Sequence, residues 1–370
     1  MVPGGFMRKN SIKIAVIFGG RSAEHDVSLR SAESVFRAMS PDRYEVVPVL
    51  ITREGAWYRM PPEISSFAPG VVPKETDRLL FSPDPTHRGF LQIGEGGEIL
   101  SMYVDLVFPV LHGTHGEDGT LQGLLELANM PYVGCGVLAS AVGMDKVLMK
   151  CAFRDNGLSV GPFFWFLRSE WEQDRDSILE NMHRRLFPFF VKPANLGSSV
   201  GISRVTCMED FEAAVSLAFS YDRKILVEDA IQGRELEVAV LGNDAPVASV
   251  AGEVIAHSDF YDYEEKYIRD TAELIIPADL EPVHNETAGK AAVTAFRAVD
   301  GSGLARVDMF LTPDGEIVVN EINTLPGFTS ISMYPKLWEA SGLAYDCLVD
   351  KLVVLAMERY EIKQLVRTDR

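Results

Sequence analysis

Short apolar runs separated by one amphipathic segment form the start of the chain. Residues 13–18 (KIAVIF) make a first run that ends at a pair of glycines, and YEVVPVLI makes a second run from Tyr44. We expect both runs to be strands and the segment between them to be a helix capped by Ser28. That segment repeats apolar residues at helical spacing, at Leu29, Ala32, Val35, Phe36 and Met39. A strand, a helix and a strand in this order predict a parallel sheet.

The following part of the chain is richer in turn-forming residues. Residues 61–97 hold many Pro, Gly and Ser, so we predict mostly loop there. A strand is predicted at residues 104–111 (VDLVFPVL), followed by a polar loop at 112–119. Residues 127–144 carry no charge, but Pro131 and several glycines interrupt them, which predicts strand and turn and argues against a membrane span.

A second group of elements begins near Cys135. We expect Asp145 to cap a helix that runs to Asn156, and strands in FPFFVKPA and KILVEDAI. A further helix is predicted from about Met208, with one apolar face formed by Phe211, Ala214, Val215 and Ala218.

The last part of the chain alternates strands with helices. The strands are ELEVAVLG, LARVDMFL and EIVVNEIN, with one helix near residues 285–299 and a final helix near residues 345–357. The long polar segment 257–273 lies between these strands and is too charged for the core. It predicts a lid loop.

Composition narrows the function classes. The 370 residues include 53 acidic and 35 basic ones, and the net charge of −18 argues against nucleic acid or an anionic membrane as the main partner. A small polyanion remains allowed, because a few placed lysines and arginines can form a positive pocket. The four cysteines are far apart and form no CxxC pair, so we expect neither a disulfide framework nor a zinc site. The N-terminus has no long apolar leader, and we expect a soluble cytoplasmic protein.

The last two strands carry oxygen-bearing side chains on a regular spacing. In LARVDMFL, alternation places Arg306 and Asp308 on one face and the apolar residues on the other. In EIVVNEIN, Glu321 and Asn323 share a face. If the two strands pair, Asp308, Glu321 and Asn323 form a cluster of hard oxygen donors that suits Mg²⁺. The spacing equally allows a buried ion network of Arg306, Asp308 and Glu321.

Two lysines and three loops are further candidates for binding phosphate or a small charged substrate. Lys146 and Lys192 stand in apolar surroundings, where a phosphate would be a suitable partner, although either side chain could also extend to solvent. NLGSSVG, residues 195–201, could bring backbone N–H groups close to phosphates, but an ordinary hairpin turn explains it as well. In the loops FGGRSAEHDVS and HGTHGEDG, Glu24 could bind an ammonium group and His112 could donate a hydrogen bond or take a proton. Simple loop capping is the alternative for both.

Eight motifs in chain order resemble those of the D-alanine–D-alanine ligase family of ATP-grasp enzymes. They cover the chain from about Ile12 to Val354 and are FGGRSAEHDVSLRSA, HGTHGEDGTLQG, YVGCGVLASAVGMDK, VKPANLGSSVGIS, VEDAIQGRELEVAVLG, FYDYEEKY, ARVDMFL and VNEINTLPGFTSISMYP. The resemblance implies an α/β ATP-grasp fold with an N-terminal Rossmann-like domain built on a parallel sheet. It implies an N-terminal substrate-binding domain at residues 1–134, a central subdomain at 135–231 and a C-terminal subdomain with lid and metal site at 232–370.

The resemblance also implies an activity. Family members join two D-alanines with cleavage of ATP to ADP and phosphate, for peptidoglycan synthesis. The first D-alanine's carboxylate attacks the γ-phosphate, and the amine of the second then attacks the acyl phosphate. The resemblance implies two Mg²⁺ ions as cofactor, with Mn²⁺ as a possible substitute. It also implies a homodimer that neither inserts into a membrane nor binds nucleic acid.

Residue roles carry over position by position. The ATP contacts fall on Lys146, Lys192, Ser199, Glu228, Ile231 and Glu235. The family usually has Leu where Ile231 stands, which a backbone contact should tolerate. The metal ligands fall on Asp308, Glu321 and Asn323. The catalytic groups fall on Glu24, Ser198, Tyr267, Arg306 and the Gly327 N–H, and further substrate contacts fall on His112, Lys266 and Ser332.

Several alternatives stay open at this point. D-alanine–D-lactate relatives carry histidine where Tyr267 stands, so we expect an amine-bearing second substrate, with D-serine as the alternative to D-alanine. Another ATP-grasp carboxylate–amine ligase would share the ATP and metal residues but not Glu24, Tyr267 and NTLPGFTSISMYP. A nucleotide-binding regulator without turnover is disfavoured by the intact charged residues, and an oxidoreductase is disfavoured because no G-x-G-x-x-G follows the first strand.

Overall fold

The computed structural model describes residues 11–94, 96–197, 199–255 and 273–367. Its strands form three sheets. The predicted lid segment, residues 257–273, lies outside the described residues except for Glu273. No helix in the described ranges is both long enough and apolar enough to cross a membrane.

The first sheet has seven strands in the order β6-β5-β4-β3-β2-β1-β7. They are β1 (Ile12–Gly19), β2 (Tyr44–Ile51), β3 (Trp57–Arg59), β4 (Arg78–Phe81), β5 (Gly89–Ile93), β6 (Ile99–Tyr103) and β7 (Leu106–Val110). The predicted parallel arrangement is confirmed for the centre, where β1 is parallel to both neighbours, while the remaining pairs are antiparallel. Both faces of β1 are covered, which explains why its residues form a continuous apolar run.

The structure departs from two predictions for this part. Residues 61–97 are mostly loop, as expected, but they also contain strands β4 and β5, in which Leu79 and Phe90 are buried. Helix α1 (His25–Ala38) begins before Ser28, with Glu24 at its N-cap. The Ser28 hydroxyl instead accepts the Gly19 N–H at 2.7 Å and donates to the Val110 carbonyl, so it ties two strand ends together.

The second sheet is antiparallel and has the order β10-β9-β11-β8. Its strands are β8 (Phe163–Leu167), β9 (Phe189–Pro193), β10 (Ser203–Val205) and β11 (Lys224–Asp229). The helices before and around it are α2 (Thr120–Leu127), α3 (Val137–Met144), α4 (Lys146–Asp155), α5 (Arg168–Gln173), α6 (Arg175–Met182) and α7 (Phe211–Phe219). Helix α3 corrects the prediction of strand and turn at residues 127–144, since its small residues pack as a helix despite Gly143.

Helix α4 begins as the sequence predicted. The Asp145 side chain accepts the backbone N–H groups of Val147 and Leu148, both at 3.1 Å. These bonds satisfy donors that the first helical turn leaves unpaired. The second oxygen of Asp145 pairs with Lys224, which joins the start of α4 to β11. The predicted apolar face of α7 is likewise buried.

The third sheet is antiparallel and has the order β14-β13-β12-β15-β16. Its strands are β12 (Arg234–Gly242), β13 (Val247–Ile255), β14 (Glu273–Ile275), β15 (Gly303–Leu311) and β16 (Ile317–Asn323), and its helices are α8 (Pro282–Ala298), α9 (Met333–Ala340) and α10 (Tyr345–Gln364). One hydrophobic cluster joins α10 to α1 and to the first sheet, and it includes Leu29, Leu304 and Leu352. The third sheet is therefore packed onto the first through the C-terminal helices.

Candidate active site

Strands β15 and β16 pair in the register that brings the predicted oxygen donors together. Asp308 lies opposite Glu321, and Arg306 lies opposite Asn323. Glu321 pairs with Asp308, and Val319 pairs with Met309, the next residue on β15. Asn320 is therefore an extra residue in β16, which forms a bulge. Val319 and Ile322 both belong to the core cluster under α8. The bulge thus shifts the alternation, and it lets Glu321 avoid the apolar face that Val319 occupies.

A third carboxylate extends this row. Glu237 on β12 lies opposite Asp308, so Glu237, Asp308 and Glu321 occupy one line across three strands. Arg306 donates two hydrogen bonds to Asp308, both at 2.7 Å, and its Nε lies 2.9 Å from Glu237 Oε2. The sequence analysis missed Glu237, although its position two residues after Glu235 in an apolar strand was a usable signal.

The oxygen donors fit magnesium by their chemistry. Asp308, Glu321 and Asn323 offer carboxylate and amide oxygens, and Mg²⁺ usually completes its coordination with water and phosphate oxygens. Among the described residues, no group of three or more His, Cys, Asp and Glu side chains is placed to hold a metal ion unaided. Asn323 Oδ1 accepts the Leu325 N–H at 3.0 Å, which fixes the turn after β16.

Lys146 and Lys192, the predicted phosphate lysines, lie inside the protein with polar partners. Lys146 donates to the Leu196 carbonyl at 2.9 Å and lies 3.5 Å from Glu321 Oε2. It therefore links the glycine-bracketed loop to the carboxylate row. Lys192 on β9 pairs with Glu228 Oε1 on the neighbouring strand β11. Neither lysine extends freely into solvent, so the solvent-facing alternative is wrong for both.

Lys150 is a third lysine in this cluster, and the sequence analysis missed it. It follows Lys146 by one helical turn on α4, a spacing that places both on one face. Its side chain is 2% exposed, and its ammonium lies 3.1 Å from Glu228 Oε2. The same ammonium donates to the Asn320 carbonyl at 3.0 Å, at the bulge in β16.

The charges of this cluster are strongly coupled. Burial raises the pKa of Glu228, but Lys150 and Lys192 outweigh it and bring that pKa down to about 2. Burial lowers the pKa of Lys150 below its ordinary value, and Glu228 offsets this only in part. Burial also acts to lower the pKa of Lys192, yet Glu228 raises it overall. The carboxylate is therefore ionised at neutral pH.

The two N-terminal loops meet at Glu24 and His112. Glu24 is buried, and a Cβ added to Gly113 would lie 2.6 Å from its Oε2. Gly113 has φ +74°, a conformation that favours glycine. The Glu24 carboxylate therefore packs directly against the backbone of the second loop.

His112 joins these loops to the turn after β16. Its Nδ1 lies 3.2 Å from the Leu325 carbonyl, and its Nε2 lies 3.0 Å from Ser31 Oγ. Ser31 Oγ also accepts the Phe328 N–H at 3.3 Å. Burial acts to lower the pKa of His112, but Glu117 at 3.7 Å outweighs it and the net shift is upward.

Gly327 and Ser332 lie side by side in the same turn. A Cβ on Gly327 would lie 3.1 Å from Ser332 Oγ, which accepts the Thr329 N–H at 3.1 Å. This segment runs from the carboxylate row to the start of α9. On the way, its Leu325 carbonyl contacts His112 in the second loop and its Phe328 N–H contacts Ser31 in helix α1.

The remaining predicted residues are spread around this centre. Ile231 follows β11 and packs near Gly161, where an added Cβ would lie 2.8 Å from Ile231 Cδ1. Glu235 is half-buried on β12, and Ser199 has φ +58° in the glycine-bracketed loop. The predicted residues Ser198, Lys266 and Tyr267 lie outside the described residues.

Family comparisons match both parts of the chain. The family model described as D-ala D-ala ligase N-terminus matches residues 13–135. The model described as D-ala D-ala ligase C-terminus matches residues 152–354. A protein of Heliobacterium modesticaldum named D-alanine--D-alanine ligase is 50% identical over 359 residues, covering 96% of this chain and 98% of that protein. One of the same name from Bacillus licheniformis is 47% identical, with 96% and 98% covered.

Solved structures with the same fold include ligases of two types. The VanG D-Ala:D-Ser ligase of Enterococcus faecalis has a TM-score of 0.84 and 40% identity, covering 94% of this chain and 100% of that chain. The D-alanine-D-alanine ligase of Coxiella burnetii has a TM-score of 0.83 and 37% identity, with 96% of each chain covered. The expected α/β fold class and the family resemblance are both confirmed.

Proposed function

The chain belongs to the D-alanine–D-alanine ligase family, and we propose that it joins two D-alanines into D-alanyl-D-alanine with cleavage of ATP to ADP and phosphate. The product would serve peptidoglycan synthesis. One geometric observation supports this function above all. A single segment after β16 connects the lysine and carboxylate cluster with His112 and helix α1, and the loop of His112 packs against Glu24, so a nucleotide half and an amino-acid half share one site.

We propose that residues 1–134 bind the first substrate and that residues 135–231 and 232–370 hold ATP between them. Each range contributes one of the three sheets. The Lys146–Glu321 and Lys150–Asn320 contacts join the second range to the third.

In the nucleotide half, Lys146 and Lys192 would bind the ATP phosphates, with Ser199 in the loop beside them. Glu228 and the Ile231 backbone would contact adenine, and Glu235 would contact the ribose. Asp308, Glu321 and Asn323 would hold Mg²⁺ in a pair of sites, with Mn²⁺ as a substitute. Bound metal would neutralise charge during phosphoryl transfer.

In the amino-acid half, Glu24 would pair with the ammonium of the first D-alanine, close to His112. The carboxylate of that substrate attacks the γ-phosphorus, ADP leaves, and an acyl phosphate forms. The amine of the second D-alanine then attacks the acyl carbon and loses a proton, and phosphate leaves. Arg306 and the Gly327 N–H would stabilise the oxyanion, and Ser332 would bind the second carboxylate. Ser198, Lys266 and Tyr267 are proposed to complete this half.

A second candidate product is D-alanyl-D-serine. The likeness to VanG, whose printed name is D-Ala:D-Ser ligase, is the observation that favours it. Both products require an amine nucleophile, so the same acyl-phosphate chemistry would serve the two reactions. We further propose that the protein is a homodimer, which light scattering of the purified protein would test, and that it works in the cytoplasm.

Phosphate release tests the function directly. The enzyme with ATP and Mg²⁺ should release phosphate with D-alanine but not with L-alanine, and mass spectrometry should detect the dipeptide. Parallel reactions with D-alanine plus D-serine or D-lactate identify the second substrate. A folded protein that releases no phosphate in response to D-alanine would contradict the proposal.

A further inference from the structure

Lys150 is almost fully buried at the centre of the site, and the mechanism above gives it no role. Its ammonium contacts the Glu228 carboxylate at 3.1 Å and the Asn320 carbonyl at 3.0 Å. Removing an ammonium from water is costly even when it is paired. Packing alone therefore does not explain why a lysine occupies this position.

The Glu228 carboxylate is shared between two lysines. Its Oε2 faces Lys150, and its Oε1 faces Lys192. The two lysines differ in access, since the Lys192 side chain is 12% exposed and the Lys150 side chain is 2% exposed. Lys192 is therefore the member of the pair that a phosphate group can reach.

We propose that Lys150 is a positioning residue for nucleotide binding, which holds Glu228 in place and balances its charge so that Lys192 can turn to the ATP phosphates. The inference rests on the proposed function, which assigns Lys192 to phosphate and Glu228 to adenine. Without Lys150, the departure of Lys192 would leave a buried carboxylate unpaired. An unpaired buried carboxylate is strongly unfavourable, so Lys192 would remain with Glu228.

The second contact of Lys150 gives it a wider positioning role. The Asn320 carbonyl belongs to the bulge immediately before Glu321. Lys146, one turn earlier on α4, approaches Glu321 itself at 3.5 Å. Helix α4 thus fixes Glu228, on the adenine side, relative to strand β16, which carries the metal-side residue Glu321. This sets the distance between the two ends of the ATP site.

Two substitutions separate the charge of Lys150 from its hydrogen bond. Lys150→Met removes both, whereas Lys150→Gln keeps an N–H donor for the Asn320 carbonyl. Both should weaken ADP binding, measured by calorimetry with Mg²⁺, by about tenfold or more, because Lys192 would stay paired with Glu228. A tenfold change corresponds to about 1.4 kcal/mol. They should raise the KM for ATP similarly and leave the KM for D-alanine within about threefold. Wild-type behaviour of Lys150→Gln would overturn the proposal, because it would reduce Lys150 to a structural hydrogen bond.

A double substitution tests the link to Glu228. In a Glu228→Gln background there is no carboxylate charge to balance, so Lys150→Gln should weaken ADP binding by less than about threefold. An equal loss in both backgrounds would contradict the proposal. If the single Lys150→Gln variant does not fold, the double variant still carries the test, because it removes both buried charges together. ADP binding more than about tenfold weaker in the double variant than in Glu228→Gln alone would then contradict the proposal.

The controls separate this inference from the proposed function. Lys290→Gln on the exposed face of α8 removes another helical lysine and should leave ADP affinity unchanged. ADP affinity does not depend on turnover. A wild-type protein that binds ADP without releasing phosphate in response to D-alanine would contradict the function and still allow this test. A wild-type protein that does not bind ADP would overturn the role of Lys150 as well.

Discussion

Ser31 Oγ lies 3.0 Å from Nε2 of His112 and also accepts the Phe328 N–H at 3.3 Å. The hydroxyl therefore joins the N-terminal domain to the turn that follows β16. Ser31→Ala should lower kcat/KM for D-alanine about fivefold, since a hydrogen bond of this kind is worth about 1 kcal/mol. Ser34→Ala is the control, because Ser34 lies one turn later on α1 and its hydroxyl donates to the Arg30 carbonyl of the same helix. Equal rates for both variants would refute the role of Ser31.

Gly113 provides a test of the Glu24 contact. A Cβ at this position would lie 2.6 Å from Glu24 Oε2, so Gly113→Ala should displace the carboxylate. We expect the KM for D-alanine to rise about tenfold, the loss of a charge-assisted contact of about 1.4 kcal/mol, while the KM for ATP stays constant. Gly70 has a similar φ of +77°, and apart from its chain neighbours no atom of the described residues lies within 4 Å of a Cβ added there. Gly70→Ala should lose stability without any change in the KM for D-alanine. A matching change in both variants would count against the contact.

Glu321 tests the proposed metal role. Glu321→Gln keeps the shape of the side chain but removes the charge of a ligand, so kcat should fall on the order of 100-fold or more, as expected when several kcal/mol of metal stabilisation are lost. Thermal unfolding should stay close to the wild type. Glu316→Gln, in the exposed turn before β16, should retain full activity. Near-normal rates of Glu321→Gln in saturating Mg²⁺ would rule out the ligand assignment.

Glu237 competes with Asp308 for Arg306 and should thereby leave Asp308 free to bind a cation. Arg306 is shared between Asp308 and Glu237. In Glu237→Gln, Arg306 should hold Asp308 more strongly, and the Mg²⁺ concentration for half-maximal activity should rise about tenfold. Glu253→Gln is a matched control, because Glu253 is equally buried on the adjacent strand and pairs with Arg234. An unchanged Mg²⁺ requirement in Glu237→Gln would contradict this competition.

The pKa of Glu228 predicts a pH dependence of stability. Its pKa falls from 4.5 to about 2 because Lys150 and Lys192 outweigh the effect of burial. The ionised carboxylate should stabilise the fold by about 3 kcal/mol above pH 4.5, and this stabilisation should decline as the pH falls toward 2. The free energy of unfolding in urea, compared between wild type and Glu228→Gln, should therefore differ less at pH 3 than at pH 7. A difference that does not change with pH would refute the prediction.

The sequence allowed the shared faces within each of the last two strands to be predicted, because alternation is a local property, whereas their pairing was only a condition. Arg306, Asp308, Glu321 and Asn323 each followed a period of two residues, and the register that brings them together needed only that the strands be neighbours. Asp145 was predicted for a similar reason, since a cap acts on the residues that immediately follow it.

The features that escaped prediction depend on distant parts of the chain. The bulge at Asn320 is defined by its partner strand, and the role of Ser28 depends on Val110. Lys150 contacts residues in β11 and β16, so its position in a helix gave only a weak sign of its surroundings. Glu237 became part of the carboxylate row because β12 lies beside β15, which the chain order does not reveal.

The bulge at Asn320 has a genetic consequence. The structure uses the backbone carbonyl of this residue and the extra length that it adds, because Lys150 binds the carbonyl and the added residue sets the direction of Glu321. Exchange of the Asn320 side chain should therefore be tolerated, whereas an in-frame deletion of its codon would restore strict alternation and turn Glu321 toward the apolar face. At this position natural selection should preserve the length of the chain more strictly than the identity of the amino acid.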